Sequence, residues 1–235
     1  WAQRRDLIVG DFTLEKPLQD EPKQRFLTEV ELVALLPTLK IHHGLCAKFM
    51  LLTAPRISEA TAATWLQIDL GAKTWTIPPE NIKDTRTLSA RRKKAKQALV
   101  IPLSWQAIQL LLEMRKAEIE RRHLNGLPQE IHQNDLLFVG PKGARLSNWD
   151  RWLKKTAAET GVTGWSAHAL RRTTATLAGD LGAPPHIVSV ILGHSNIGGQ
   201  LVAGYNQSAY GSEHQQILQH VADKLEALES GGSDG

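Results

Sequence analysis

Apolar residues recur every three or four positions over most of the chain, which is the spacing of amphipathic helices. The first such stretch follows Phe26, where Thr28 is a candidate N-cap and Glu31 is its capping-box partner. Its expected apolar face consists of Val30, Val33, Ala34 and Leu36. Further runs of this kind cover residues 42–52, 104–123, 147–158, 166–181, 187–192 and 212–228. The pattern predicts a mainly helical protein.

Two short stretches alternate apolar and polar residues instead, which indicates strands. Residues 65–77 carry Ile68, Leu70, Trp75 and Ile77 around Gly71 and predict a hairpin. Residues 98–102 predict a third strand, and residues 136–139 a short buried strand or an extended segment. The expected fold class is therefore mainly α with a small antiparallel three-stranded β-sheet.

The chain divides into three parts by composition. Residues 1–24 mix charge, Pro and Gly without a period, which is typical of a linker or arm. Residues 25–228 carry the periodic elements and form one domain, and the Ser, Gly and Asp residues of 229–235 predict a disordered tail. Because the first residue is Trp1 rather than Met, we expect the sequence to be a fragment of a longer protein.

Composition excludes several classes of protein. Hydrophobic residues make up 42% of the chain and charged residues 22%, which is ordinary for a globular protein. The single cysteine, Cys46, cannot form an internal disulfide and indicates a reducing compartment. No run reaches the roughly 20 apolar residues of a membrane span, and no signal-peptide pattern is present. The net charge of +4 is small, so its distribution matters more than its size.

The charge is concentrated between the second and third expected strands. One acidic residue, Asp84, is outnumbered there by Lys83, Arg86, Arg91, Arg92, Lys93, Lys94 and Lys96. Such a run is usually a solvated loop. We favour a finger that contacts DNA phosphates, because a basic loop between two strands can reach into a groove and neutralise the backbone.

The candidate chemistry lies in the second half of the chain. His168 and Arg171 are three residues apart on an expected helix and so share one face. Arg56 is expected near a helix N-terminus, which already favours an anion. His194 and Tyr205 add a second imidazole and a phenol. The other histidines do not cluster with metal-ligand spacing, so we expect metal-free chemistry on a phosphate, without a cofactor.

These residues resemble, in order and spacing, the motifs of the tyrosine recombinases, the phage-type integrases. The motif set is Arg56, His168-x-x-Arg171, Leu192-Gly193-His194 and Gly204-Tyr205-Asn206. Two further phrases match, Trp75-Thr76-Ile77-Pro78 and Val100-Ile101-Pro102-Leu103-Ser104, and the resemblance is greatest to integrases of satellite phages and genomic islands. It extends from Phe26 to Leu228, and it implies that residues 25–228 are a tyrosine recombinase catalytic domain.

The resemblance implies a role for each residue. Tyr205 would be the nucleophile that forms a 3′-phosphotyrosyl bond and frees a 5′-hydroxyl, without ATP. Arg56 and Arg171 would stabilise charge on the phosphate, His194 would donate a hydrogen bond to it, and His168 would take or return a proton. Lys83 would protonate the leaving oxygen.

Several assignments have alternatives. Lys93, Lys94 or Lys96 could replace Lys83 if the strand register is shifted. Glu59 is either a carboxylate that orients the active-site groups or an i,i+3 surface pair with Arg56, and we weigh these evenly. Tyr210 is a rival nucleophile. Arg172 is expected to be structural or to position a phosphate.

The resemblance also implies partners. They are double-stranded DNA attachment or core sites, further copies of the chain in a homo-tetramer, and an accessory DNA-bending or directionality factor. The C-terminal helix would join the tetramer, although its apolar stripe could equally fold back on its own domain. The implied setting is the nucleoid of the bacterial cytoplasm, in a prophage or genomic island. We expect the family's N-terminal core-binding domain to be missing, so that this stretch binds DNA weakly alone.

Two other functions fit the same residues. A type IB topoisomerase uses similar chemistry without a partner duplex. A DNA-binding regulator could keep the fold and lose the activity, but DNA binding alone would not require a phenol at Tyr205.

Overall fold

A computed structural model of the chain describes residues 25–82, 98–141, 143–193 and 207–231. The described helices are α1 (Glu29–Leu35), α2 (His43–Thr53), α3 (Ile57–Ala60), α4 (Trp105–Leu124), α5 (Trp149–Thr160), α6 (Ala167–Asp180), α7 (Pro185–Ile191) and α8 (Gln207–Gly231). The described strands are β1 (Ile68–Asp69), β2 (Thr74–Ile77) and β3 (Leu99–Pro102). The arm of residues 1–24 and the basic segment of residues 83–97 lie outside the described residues.

The three strands form one antiparallel sheet in the order β1-β2-β3. Trp75 is paired with Ile68 on one side and with Ile101 on the other. Its side chain points into the core, where its ring centroid lies 5.1 Å from that of Phe49. The prediction of a mainly helical fold with a small three-stranded sheet is confirmed. Residues 136–139 form an extended segment with isolated bridges at Leu136 and Val139.

Helix α2 is the centre of the domain. Eight of its eleven residues are buried, because α3, α4, α6 and α8 all pack against it. A helix that is apolar on every side is stable only when neighbours surround it. Its central position matters for the site, because the chain leaves α2 through Ala54 and Pro55 and reaches Arg56 directly.

The predicted capping box of α1 is confirmed, but its predicted apolar face is wrong in part. The Thr28 hydroxyl accepts the Glu31 amide at 3.3 Å, and the Thr28 amide donates to the Glu31 carboxylate at 2.9 Å. The buried residues are Leu32, Leu35 and Leu36, whereas Val30 is 80% exposed. The three leucines form the stripe that faces α8, and Val30 lies on the opposite side.

Helix α8 begins and ends outside its predicted limits. It starts at Gln207 rather than Ser212, so Tyr210 belongs to its first turns. It continues to Gly231, and Glu229 binds the Lys48 ammonium at 2.7 Å. The helix thus extends past residue 228, and this ion pair anchors its end to α2, while the limits of the domain and of the tail stay a prediction.

The apolar stripe of α8 packs against the helix's own domain. Its buried residues are Ile217, Leu218, Val221, Ala222 and Leu225. They face α1, α2, α4, α6 and α7. Of the two alternatives for this stripe, the structure shows the one in which it folds back on its own domain, and a part in joining copies of the chain stays a prediction. Among the described helices, none is long and apolar enough to cross a membrane.

Candidate active site

Arg56 and Glu59 form an ion pair at the start of α3, in which Glu59 is buried and Arg56 is partly exposed. Arg56 is the N-cap residue, and its amide donates to Glu59 Oε2 at 2.7 Å. Its guanidinium donates to Glu59 Oε1 at 2.9 Å. The i,i+3 ion pair with Arg56 therefore forms, but the Glu59 side chain is fully buried and does not lie at the surface. The role of Glu59 in orienting the active-site groups stays a prediction. Because the two oxygens of this buried carboxylate bind the backbone amide and the guanidinium of the same residue, they fix the direction in which the Arg56 side chain extends from the backbone.

Arg171 connects three parts of the chain from its position in α6. The residue is buried, and its guanidinium donates to the carbonyl oxygens of Ala54, at 2.5 Å, and Leu192. Ala54 has a left-handed backbone, with φ of 52°, which ends α2 two residues before Arg56. One arginine thus joins the segment that carries Arg56 to the end of α7.

The hydrogen-bond partners of Arg171 are neutral carbonyl groups, so they do not neutralise its positive charge. Burial and the nearby charge of Arg56 lower the pKa of Arg171 to about 10, against a smaller opposing effect of Glu59. Two guanidinium groups that repel each other around one buried carboxylate leave excess positive charge. Such an arrangement favours an anion.

His168 lies in the first turn of α6, on the exposed side. Burial first, and then the charges of Arg172, Arg171 and Arg56, lower the pKa of His168. An imidazole with a lowered pKa is neutral at pH 7 and can accept a proton. Arg172 is half-buried and acts on His168 through its charge. Its predicted part in positioning a phosphate stays a prediction.

The structure brings four of the predicted site residues together: Arg56, Glu59, His168 and Arg171. Lys83, His194, Tyr205 and the basic residues Arg86, Arg91, Arg92, Lys93, Lys94 and Lys96 lie outside the described residues. Leu192, which Arg171 contacts, is two residues before His194. The backbone of Tyr210 lies in α8, one turn before His214.

Sequence reasoning missed the groups that hold these residues. The carbonyls of Ala54 and Leu192 have no signature in the sequence beyond the helix ends that precede them. Thr174, one turn after Arg171, donates to the Leu51 carbonyl at 2.8 Å and fixes α6 to α2. Within the described part of the chain, no group of three or more His, Cys, Asp or Glu residues could hold a metal ion.

Comparisons with known proteins agree with this geometry. The model of the phage integrase family matches residues 25–211. Prophage integrase IntA of Escherichia coli (strain K12) is 28% identical over 183 residues, which are 78% of this chain and 38% of that protein. Tyrosine recombinase XerD of Bifidobacterium longum (strain NCC 2705) is 31% identical over 156 residues, 64% of this chain and 45% of the relative. The chain thus spans less than half the length of either relative.

Solved structures show the same fold. The Tn1549 transposon integrase in complex with transposon right end DNA has a TM-score of 0.56 at 21% identity, over 88% of this chain and 70% of that chain. The XerA recombinase has a TM-score of 0.54 at 17% identity, over 81% of this chain and 64% of that chain. The described core therefore has the tyrosine recombinase catalytic fold. With the family model matching most of the sequence, the chain belongs to the phage integrase family.

Proposed function

We propose that this chain is the catalytic part of a site-specific tyrosine recombinase, which integrates and excises a mobile element through a covalent 3′-phosphotyrosyl DNA intermediate. Family membership supports this function. The single observation that carries it is that Arg171 binds the carbonyl of Ala54, two residues before Arg56, which brings the charges of the two guanidinium groups into one site.

The arginine pair fits the demands of phosphoryl transfer. In the transition state, negative charge grows on the non-bridging oxygens of the phosphate, and planar guanidinium donors match those oxygens. Bound phosphate would also relieve the repulsion between Arg56 and Arg171. The interaction would strengthen as the charge develops, which is the condition for it to accelerate the reaction.

The proton steps would use the histidines and a lysine. Tyr205 loses its proton to His168, and its oxygen attacks phosphorus. The bond from phosphorus to the 5′-oxygen breaks, and Lys83 gives that oxygen a proton. Lys93, Lys94 and Lys96 are the alternatives to Lys83. His194 donates a hydrogen bond to the phosphate.

The proposed substrate is double-stranded DNA at an attachment or core site. Arg172 and the basic residues of the segment 83–97 would contact its backbone phosphates. Solved relatives of the same fold, the Tn1549 transposon integrase and the XerH recombinase, have structures in complex with DNA. A prophage or genomic island is the proposed source of the site, and the bacterial nucleoid its location.

The test is a covalent trap. The chain is incubated with a nicked suicide duplex that carries the candidate core site, and denaturing gels report a protein–DNA adduct. We expect an adduct from the wild type and from Tyr210→Phe, and none from Tyr205→Phe. Loss in Tyr210→Phe alone would keep the chemistry and overturn the assigned nucleophile.

Two assays separate the alternatives, because a type IB topoisomerase would also form the adduct and is distinguished by relaxation of a plasmid. A type IB topoisomerase would relax a supercoiled plasmid that carries no specific site, whereas a recombinase requires two specific sites for strand exchange. An inactive regulator would bind the duplex and give no adduct. The relatives and structures reported above carry the names of recombinases and integrases, which favours recombination.

For assembly, we propose a homo-tetramer on DNA, with an accessory bending or directionality factor. Joining copies through α8 would require its stripe to leave the chain's own domain. Light scattering of the chain with and without its duplex tests this, and a complex that holds one copy per site without pairing of sites would contradict it.

A further inference from the structure

Helix α3 is too short to hold its own geometry. It has four residues, Ile57–Ala60, and a single helical turn is unstable in isolation. Yet α3 sets the position of both Arg56 and Glu59. Glu59 satisfies the N-terminal end by accepting the Arg56 amide. The C-terminal end needs donors of its own, because the last carbonyls of any helix lack partners within it.

Arg145 supplies those donors. Its Nη2 donates to the Ser58 carbonyl at 3.0 Å and to the Thr61 hydroxyl at 2.9 Å, and its Nε contacts the same hydroxyl at 3.2 Å. The amide of Ala62, which a longer helix would direct at Ser58, donates to the Glu59 carbonyl instead. The Thr61 hydroxyl in turn donates to the Ile57 carbonyl at 2.9 Å.

The loop that carries Arg145 is itself fixed to α2. His42 donates from Nδ1 to the Val139 carbonyl at 2.8 Å, and His43 from Nε2 to the Ser147 carbonyl at 2.7 Å. Within the loop, the Gly140 amide donates to the Ala144 carbonyl at 2.8 Å. Two adjacent histidines thus fix both ends of a short loop, and the Arg145 guanidinium extends from this fixed loop to α3.

We infer that Arg145 is a positioning residue for DNA cleavage, acting through α3 to hold Arg56 and Glu59 in their productive geometry. Arg145 is remote in sequence from every motif of the family, and no pattern in the sequence marks it. Active-site groups must be held closely, because a displacement of about 1 Å costs about 100-fold in rate. This inference rests on the proposed function.

The rival explanation is that Arg145, which is exposed, contacts DNA directly. Substitutions of Thr61 distinguish the positioning role from a direct DNA contact. Thr61 is 5% exposed and cannot reach a duplex, yet it accepts two of the three hydrogen bonds from Arg145. Thr61→Val removes two of the three hydrogen bonds from Arg145, and the hydroxyl's own bond to the Ile57 carbonyl, without changing any charge. Thr61→Ser keeps the hydroxyl and should restore the wild-type behaviour.

The experiment measures the cleavage rate at saturating suicide duplex, the Kd for that duplex, and hydrogen exchange of the amides of residues 56–61. For Arg145→Met we expect a cleavage rate 10- to 100-fold lower, an unchanged Kd and faster exchange. Thr61→Val should show the same three effects to a smaller degree, because Arg145 keeps its hydrogen bond to the Ser58 carbonyl. In the double variant the loss of cleavage rate should be smaller than the sum of the two single losses, because both changes remove the same two hydrogen bonds. The matched control is Arg121→Met, which removes an arginine that binds Glu118 within α4.

Three results would overturn the inference. One is a raised Kd in Arg145→Met while Thr61→Val behaves as the wild type does, which would make Arg145 a DNA contact. The others are unchanged exchange in both variants, or faster exchange with an unchanged cleavage rate. If the wild type gives no adduct, the proposed function fails, and exchange alone then decides whether Arg145 holds α3.

Discussion

At the residue scale, the guanidinium of Arg171 is held by backbone acceptors from distant parts of the chain. His168 and Arg171 follow from helical spacing, and the structure places both on α6. The acceptors of Arg171 are backbone carbonyls 117 and 21 residues away in sequence, and every residue has a carbonyl. Only the folded backbone shows which carbonyls an arginine reaches.

Arg171→Lys should make cleavage depend on pH above neutrality. A lysine cannot bridge the carbonyls of Ala54 and Leu192 in the fixed geometry of a guanidinium. The burial and the Arg56 charge that lower the pKa of Arg171 would also lower the pKa of a lysine at this position below its usual value of about 10.4. The lysine would lose its proton, and with it the phosphate contact, as the pH rises through that lowered pKa.

The measurement is the ratio of the variant's cleavage rate to that of the wild type at each pH, which removes the pH dependence shared by both. We expect the ratio to fall as the pH rises, by about tenfold per pH unit once most of the lysine is deprotonated. A ratio that is low but constant would show that geometry alone, without deprotonation, accounts for the loss.

At the element scale, prediction succeeded where a local rule determines the structure. The capping box of α1 and the hairpin around Gly71 rest on contacts between near neighbours. The buried face of α1 was misjudged because Val30 and Leu32 are both apolar and only the position of α8 decides between them. The start of α8 was missed because polar residues precede its stripe.

Gly44→Ala should destabilise the domain through α2. A β-carbon at Gly44 would lie 2.8 Å from Leu39 Cα and 2.9 Å from the Leu39 carbonyl carbon, which are backbone atoms that cannot rotate away. We expect a loss of about 1–3 kcal/mol in the free energy of unfolding, measured with urea. The matched control is Gly179→Ala in α6, where a β-carbon meets nothing within 4 Å. That variant should gain about 0.5–1 kcal/mol, and equal losses in both would contradict the steric argument.

His214 should make the docking of α8 sensitive to acid. It is 4% exposed, its Nε2 has no hydrogen-bond partner in the described structure, and burial lowers its pKa to about 4. An unfolded histidine has a pKa of about 6.5, so the unfolded state binds the proton first as the pH falls. The stability is complete above about pH 6.5 and is lost towards pH 4.

Between about pH 7.5 and pH 5 we expect His214 to contribute a loss of about 2 kcal/mol in the free energy of unfolding. His214→Leu should reduce the pH dependence by that amount. The neighbouring Glu213 lies 3.9 Å from His186 of α7, and this pair remains in both proteins, so it cancels in the comparison. His220→Leu, at an exposed position of the same helix, is the control and should retain the wild-type slope.

At the scale of the whole molecule, an amphipathic stripe does not show which surface it covers. The spacing of Ile217, Val221 and Leu225 fits the chain's own core and a neighbouring copy equally well. The structure resolves this with polar contacts around the stripe. Gln106 donates to Asp223 and Glu226 at 2.9 Å each, and Lys48 binds Glu229. These contacts join α8 to α4 and α2 of the same chain.

Lys48→Cys with Glu229→Cys should therefore cross-link within one chain when treated with a short bis-maleimide. The native Cys46 should not react, because burial raises the pKa of its thiol. With α8 docked on its own domain, the product is a cross-linked monomer on denaturing gels, and the two single variants give no such product. If α8 docks on a neighbour in solution, mixing the single variants would give a covalent dimer instead. Repeating the reaction with the DNA duplex bound then tests whether assembly moves α8 from its own domain to the next copy, because the monomer product would give way to linked oligomers.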